Sequence, residues 1–456
     1  YIDNPNPIGY RHYSAPVSNT TVNDLAAPGF SPAFNPAYNL SPTPGTVTPF
    51  PTVFGYNQDR IALVTSNYGP FDKGWFSPTA GDPMQVGRGY TVNAPNTALV
   101  DFVGNLNNGS QSSGFLSRGT DAAAGWHFLG NPYPAPLDWS TVAPAQRPGM
   151  DAAMYVFQSG GQYGGSYRSY ANGIGGASPL IDVASGYFVR VSTTGTAGSV
   201  DLTNANRVTT FGAQPAFGRG AADSRPQLEL QLRNATTGLD ETYVYFETGA
   251  TAGRDAQYDA TKLANPSGLN LSSVAAGQEM AINGLPLLGT SAVIVPLQVA
   301  VPQAGNYTFN AADVANFTGS VTLTDALAGT RTVLTTGSSY AFTLAGTSAP
   351  GRFALEFRAA GVLASASAKA LAAQVQLFPN PASVAFRVQL PLLRANAVVS
   401  ATLTNALGQT VLNRTLSAPA GQAINAEFDV RALASGVYTL RLNVDGTPVV
   451  RKVVVE

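Results

Sequence analysis

The 456-residue chain has no cysteine, only two histidines and very little charge. Without cysteine there are no disulfides, no thiolate metal sites and no cysteine nucleophile, and the redox compartment stays open. Charged residues make up 11% of the chain, against about 25% in an ordinary globular protein. Lys+Arg 25 against Asp+Glu 26 leaves a net charge of −1, so no basic surplus exists to neutralise a phosphate backbone, and nucleic acid is not an expected partner. No apolar run approaches the roughly 18–20 residues that cross a bilayer, so no membrane span is predicted. The residues after Tyr1 show no charged n-region followed by an apolar h-region, which reads as a soluble, processed chain. Low charge density also weakens repulsion between copies, so self-association is less opposed than usual.

What is present is turn chemistry and β pattern. Gly 47, Pro 32, Tyr 19 and Phe 22 favour short strands, tight turns and aromatic packing. At about 100–200 residues per domain, two to four domains are expected. The predicted class is all-β and multidomain, built from antiparallel sandwiches. Residues 1–216 form a jelly-roll-like N-terminal β region containing a divergent duplication, about 1–115 and 116–216. Gly9 to Val17 resembles Gly125 to Tyr133, with Pro16 opposite Pro132, and Val86 to Val92 resembles Val183 to Val189, with Gly89 opposite Gly186. A Gly/Ala/Arg linker spans 217–224. Over 225–358 Leu228, Leu230 and Leu232 alternate with polar residues and further strand signals follow, which predicts a middle β-sandwich. Pro296 would need an edge or a bulge there. An Ala/Ser-rich linker, 359–374, precedes seven short strands over 375–456 that fit an immunoglobulin-like sandwich.

That last unit resembles the type A C-terminal sorting domain of proteins exported by the bacterial type IX secretion system. The resemblance rests on four elements in order: Leu377-Phe378-Pro379-Asn380-Pro381-Ala382, Leu403 to Val411 with its turn at Gly408, Leu433 to Leu440 with Gly436 and Tyr438, and Arg451-Lys452-Val453-Val454-Val455. Pro379 and Pro381 fix φ on either side of Asn380 and are expected to make a rigid lead into the first strand. Gly125 to Trp139, with Gly130-Asn131-Pro132-Tyr133-Pro134 and Asp138-Trp139, is similar to a signature found upstream of that domain in large surface proteins. Gly253 to Leu263 and Arg352 to Phe357 resemble elements of an intervening β-sandwich. The resemblance implies type IX export through residues 375–456, an extracellular or outer-surface location, removal of the sorting domain there and attachment of the remainder to lipopolysaccharide.

Chemistry is sparse. His12 and His127 fall in the two copies of the duplication, but no HExxH and no third ligand accompany them, so no metal site is predicted and no catalytic residues are assigned. Asp240-Glu241 and Asp255/Asp259 carry oxygens that suit Ca²⁺, without the Asp-x-Asp-x-Asp-Gly spacing that would specify it. Asp138 beside Trp139 reads as a turn cap over a packed ring rather than a glycosidase acid. Trp139, Tyr163, Tyr167 and Tyr170, the last three on a glycine-rich stretch, are the candidate contacts for a glycan or another subunit. The expected function is that of a secreted, non-enzymatic structural or adhesive protein that assembles with copies of itself into a filament or surface layer, with Tyr1 to Ile8 available for strand donation. A glycan-binding adhesin is the alternative, and a carboxylate-based polysaccharide hydrolase a more distant one.

Overall fold

A computed structural model describes residues 8–209, 223–234, 238–359, 373–392, 398–417, 423–444 and 447–456. The proposed strand donor Tyr1 to Ile8, save its last residue, and most of both linkers lie outside these residues. The chain divides into two compact units, Tyr1–Ala359 and Ala360–Glu456. The described residues are overwhelmingly strand, as the alternating sequence predicts, and helix is confined to short turns such as Arg60–Leu63.

The first unit begins with two four-stranded sheets. One contains β1 (Ile8–Tyr13), β2 (Val53–Tyr56), β3 (Trp75–Phe76) and β4 (Tyr90–Pro95), in the order β1-β4-β2-β3. The other contains β5 (Trp126–Gly130), β6 (Met150–Ser159), β7 (Gly165–Tyr170) and β8 (Gly186–Val191), in the order β7-β6-β8-β5. Strand alternation gives each sheet two apolar faces. In the first, Val53, Val92 and Ala94 face a core with Val22, Leu25 and Met84. The second turns Leu129, Met154, Tyr187 and Val189 toward Trp139 and Tyr133. The remaining faces meet through aromatic rings: Tyr56 lies 5.2 Å from Phe188 and Trp75 5.8 Å from Phe128, while within the second sheet the cross-strand partners Phe128 and Phe188 stack at 4.6 Å.

The aligned copies pair alike. Tyr13 sits opposite Tyr90, and their counterparts Leu129 and Tyr187 are likewise opposite each other. The copies also contact each other reciprocally. Ser14 N donates to Ala184 O at 2.9 Å and Gly130 N to Gly87 O at 3.0 Å, and bridges join Tyr13 to Ser185 and Arg88 to Leu129. In the alignment each of these contacts is the other with the copies exchanged. Gly87 and Ala184 both have positive φ, +75° and +58°.

Residues 227–358 form an 11-stranded sheet, antiparallel except where Leu239–Phe246 pairs in parallel with Gln278–Leu285. It folds over on itself: Tyr340 Oη, from one outermost strand, hydrogen-bonds Thr330 and Asp325 at the other end. Leu228, Leu230 and Leu232 are fully buried in the enclosed core with Leu323, Phe353 and Leu355. Pro296 lies opposite Ala354, just beyond Leu297, where the ladder to Asn270–Ala275 stops, so this position has a strand on one side only. The middle region joins the N-terminal one within a single unit. Arg254 Nη2 contacts both Asp151 oxygens at 2.5 and 2.6 Å, Tyr155 Oη donates to Thr261 O, and Tyr245 and Ile282 enter the same core as Trp126 and Phe188.

In the second unit, strands Gln376–Phe378, Ala385–Leu392 and Ala423–Asp429 face Thr410–Ser417, Val398–Thr404, Gly436–Val444 and Thr447–Val455. Phe386, Leu403, Phe428, Leu440 and Val453 fill the space between. All seven predicted strands are present. The Pro-Asn-Pro run, however, follows the first strand instead of leading into it.

Candidate functional site: an aromatic pocket and a sorting motif

Between the two small sheets the first unit holds a cavity of about 320 Å³, within the size range of small-molecule sites. Pairing aligns its floor. His12 on β1 lies opposite Thr91 on β4, which lies opposite Phe54 on β2, so the three share one face of the sheet. Tyr10, two residues before His12, projects the same way. Phe157 and Tyr167 are direct partners on β6 and β7, and Tyr163 comes from the hairpin joining those strands. Tyr38, Phe50, Tyr68, Asp72 and Trp75 complete most of the wall.

The rings brace one another. Tyr38 lies 5.0 Å from Phe54 and 5.9 Å from Phe50, both edge-on, and Tyr10 stands 6.5 Å from Tyr163. Edge-to-face contacts at these separations hold aromatic faces in fixed directions. His12 is 6% exposed, stacks on Phe157 at 4.9 Å and meets Phe128 at 4.5 Å. Its Nδ1 has no hydrogen-bond partner. Burial pushes its pKa down to about 3, so the ring is neutral at physiological pH. Asp72 is exposed at the pocket's edge, and desolvation by its surroundings raises its carboxyl above the usual range. Burial likewise raises the Tyr10 hydroxyl to about 12.

The four sequence candidates separate. Tyr163, 65% exposed, and the buried Tyr167 both line the pocket. Trp139 is 3% exposed, donates from Nε1 to Ala152 O at 2.8 Å and packs edge-on against Tyr187. Tyr170 joins the same core. Burial leaves Trp139 and Tyr170 no face for a glycan or subunit, which corrects their assignment as contacts. Asp138 caps its turn by accepting from Ser140 N at 2.9 Å. His127 Nε2 donates to Ser117 O, 2.7 Å away, and burial lowers its pKa to about 4. It faces away from the pocket, because it neighbours Phe128 in the strand.

The carboxylates considered for Ca²⁺ are otherwise engaged. Asp240 takes Lys262 Nζ at 2.5 Å, Asn265 Nδ2 and Leu271 N, and Glu241 pairs with Arg168. Two protein cations at this place neutralise the acids a metal would need. Asp259 accepts from the backbone N–H of Asp255 and Gly284 and, desolvated, has a pKa raised to about 7. Among the described residues no group of three or more His, Asp or Glu is placed to hold a metal.

The sorting motif gathers in the second unit. Asn380 accepts from Val454 N at 2.7 Å and donates to Lys452 O at 3.0 Å, and Ala382 N donates to Val454 O. The Pro379-Asn380-Pro381 run is thereby tied to the Arg451-Lys452 strand. Gly408 takes φ +81° in the turn closed by Asn405, whose Oδ1 accepts from Leu407 N and Gln409 N. Gly436 opens a strand whose Tyr438 turns inward and bonds Ala434 O at 2.8 Å while Val437 faces out.

Comparison with known proteins divides the chain at the same place. Residues 3–357 match the family described as Domain of unknown function (DUF8693), and the chain belongs to that family. Residues 376–456 match the Secretion system C-terminal sorting domain, which supports a secreted cargo of the type IX system. No curated protein matches the chain. Among solved structures, dimeric latent PorU from Porphyromonas gingivalis is similar at 9% identity and a TM-score of 0.17, over 80% of this chain and 35% of that one.

Proposed function

We propose that this member of the family, exported by way of its sorting domain, is a surface adhesin whose first unit grips an extracellular ligand in the aromatic pocket. The observation that carries the reading is the cavity itself. Nine ring-bearing Phe, Tyr and Trp side chains line it, five of them tyrosines, and His12, Thr91 and Asp72 add the other polar groups, the mix of aromatic wall and placed polar atoms found in pre-formed binding sites. Asp72 is its one lining carboxylate, whereas glycoside hydrolysis needs a pair, so binding without turnover is the better account. The test is adhesion of cells displaying Tyr163→Ala or Tyr68→Ala against cells displaying the parent at equal surface level. Loss of adhesion supports the reading, and undiminished adhesion by both variants rejects it.

Self-assembly into a filament or layer draws support from a different feature. Val333, on the outermost strand Thr330–Leu334, and Ile294 are 62% and 66% exposed, in one cross-strand row with Thr322 and Glu356. An edge strand that exposes an apolar side chain is a template for another chain. Sedimentation of the full chain before and after Val333→Lys tests this: assembly that persists unchanged removes the edge from consideration.

A further inference from the structure

The charge and shape of the pocket narrow what it can hold. No Arg, Lys, Asn or Gln lines it, so an anion would find no cationic donor and a polyhydroxylated ligand no amide or guanidinium. Its one formal charge is the Asp72 carboxylate, and among the described residues no ion pair or side-chain hydrogen bond engages that group. That carboxylate acts electrostatically on the hydroxyls of Tyr38, Tyr68 and Tyr167. It therefore stands among rings, and desolvation there raises its carboxyl above the usual range. A neutral ligand would desolvate it further and supply nothing in return.

The rest of the lining adds no positive charge. His12, buried on the floor with Nδ1 unpartnered, is neutral. The walls are built of aromatic rings, whose faces carry the negative lobe of the ring quadrupole and attract cations, most strongly where water is excluded. Tyr38, Phe54 and Phe50 are mutually braced, Tyr10 adjoins Phe54, and Tyr163 adjoins Tyr10, with the ring planes tilted or edge-on to one another. Faces set at several angles suit a group that is positive in all directions and has no N–H needing an acceptor.

We propose that the pocket is an aromatic cage for a quaternary ammonium group, with Asp72 as its counter-charge. This rests on the reading of the pocket as a binding site and names what it binds. Such a ligand leaves few polar groups unsatisfied, because alkylated nitrogen offers no hydrogen bonds to lose. Its charge is spread over its methyl groups, so it is desolvated more readily than a primary ammonium.

The experiment is isothermal titration of the full chain with choline and with 3,3-dimethyl-1-butanol, which has the same shape and no charge. Choline is expected to bind about tenfold or more tightly than the neutral alcohol. Asp72→Asn is expected to weaken choline severalfold and leave the alcohol unchanged, and Tyr68→Ala to weaken both. Asp72 is exposed, so the Asn variant should fold, and an unaltered melting temperature checks this. Equal affinity for both ligands, or choline binding indifferent to Asp72→Asn, overturns the cation assignment while leaving a binding pocket. No binding of either ligand, with adhesion still lost in Tyr68→Ala, also overturns it and keeps the adhesin. No binding together with undiminished adhesion removes both.

Discussion

His12 is where single-residue chemistry is most exposed to test. Its ring is sandwiched among Phe157, Phe128 and Phe188 with Nδ1 unpartnered, and burial holds it neutral down to a pKa of about 3. In the unfolded chain the same ring takes a proton below about pH 6.5. The native state then binds fewer protons than the unfolded one, so stability is intact above pH 6.5 and declines as pH falls from there toward 3. At pH 4.5 the loss from this residue is expected to be about 2–3 kcal/mol. His12→Phe places there the residue found at the aligned position, Phe128, and should reduce that slope, leaving the share that buried His127 contributes. Urea unfolding at pH 7.5 and 4.5 reads the difference, and an equally steep variant would show that other groups cause it. Sequence reasoning saw His12 as lacking co-ligands, but not as a pocket floor. The floor is made by cross-strand neighbours Thr91 and Phe54, far along the chain, which no local pattern connects.

Strands were legible where one face is apolar and the other wet. Gly436–Val444 buries Tyr438, Leu440, Leu442 and Val444 and exposes alternate residues, and its period-two sequence says so directly. The pair Asn270–Ala275 and Gln278–Leu285 is covered on both faces and mixes Ser, Asn and Gly into the core, so the alternation disappears. Residues 20–50, a run of loops and short 3-10 turns fastened by side chains such as Asn35 and Asn39, carry no period at all. Two substitutions probe elements of the sorting unit. Asn380→Ala removes two bonds to the final strand and is expected to cost about 1–2 kcal/mol. Gly408→Val puts a β-branched residue at φ +81° and should cost about the same. Amide hydrogen exchange of Thr447–Val455 should quicken in the first variant while the Leu403–Val411 turn stays protected. Faster exchange at both sites would contradict so local a tie.

At the scale of the first unit, the reciprocal bonds Ser14–Ala184 and Gly130–Gly87 form a seam that relates the two aligned copies by exchange. The motifs of each copy were readable in the sequence. Which copy pairs with which was not, because identical strand chemistry permits pairing within a copy or between copies, and only the packed aromatic faces decide. The seam leaves no room at Gly130: a Cβ there would fall inside the Ser14 side chain and within 2.9 Å of Arg88 O. Gly130→Ala is therefore expected to destabilise the unit by about 2–3 kcal/mol. Hydrogen exchange should rise in both four-stranded sheets together. A rise confined to β5 and β8 would show that the seam does not couple them.

The Asn380 tie has a consequence for recognition. Pro379-Asn380-Pro381 and Arg451-Lys452 are distant in sequence and become neighbours only when the last strand has docked. A receptor that touches both is reading a shape instead of a peptide, and an unfolded tail offers it nothing to hold. Were export gated by such a receptor, it would proofread its cargo: a chain whose sorting unit had failed to fold would not present the two segments side by side.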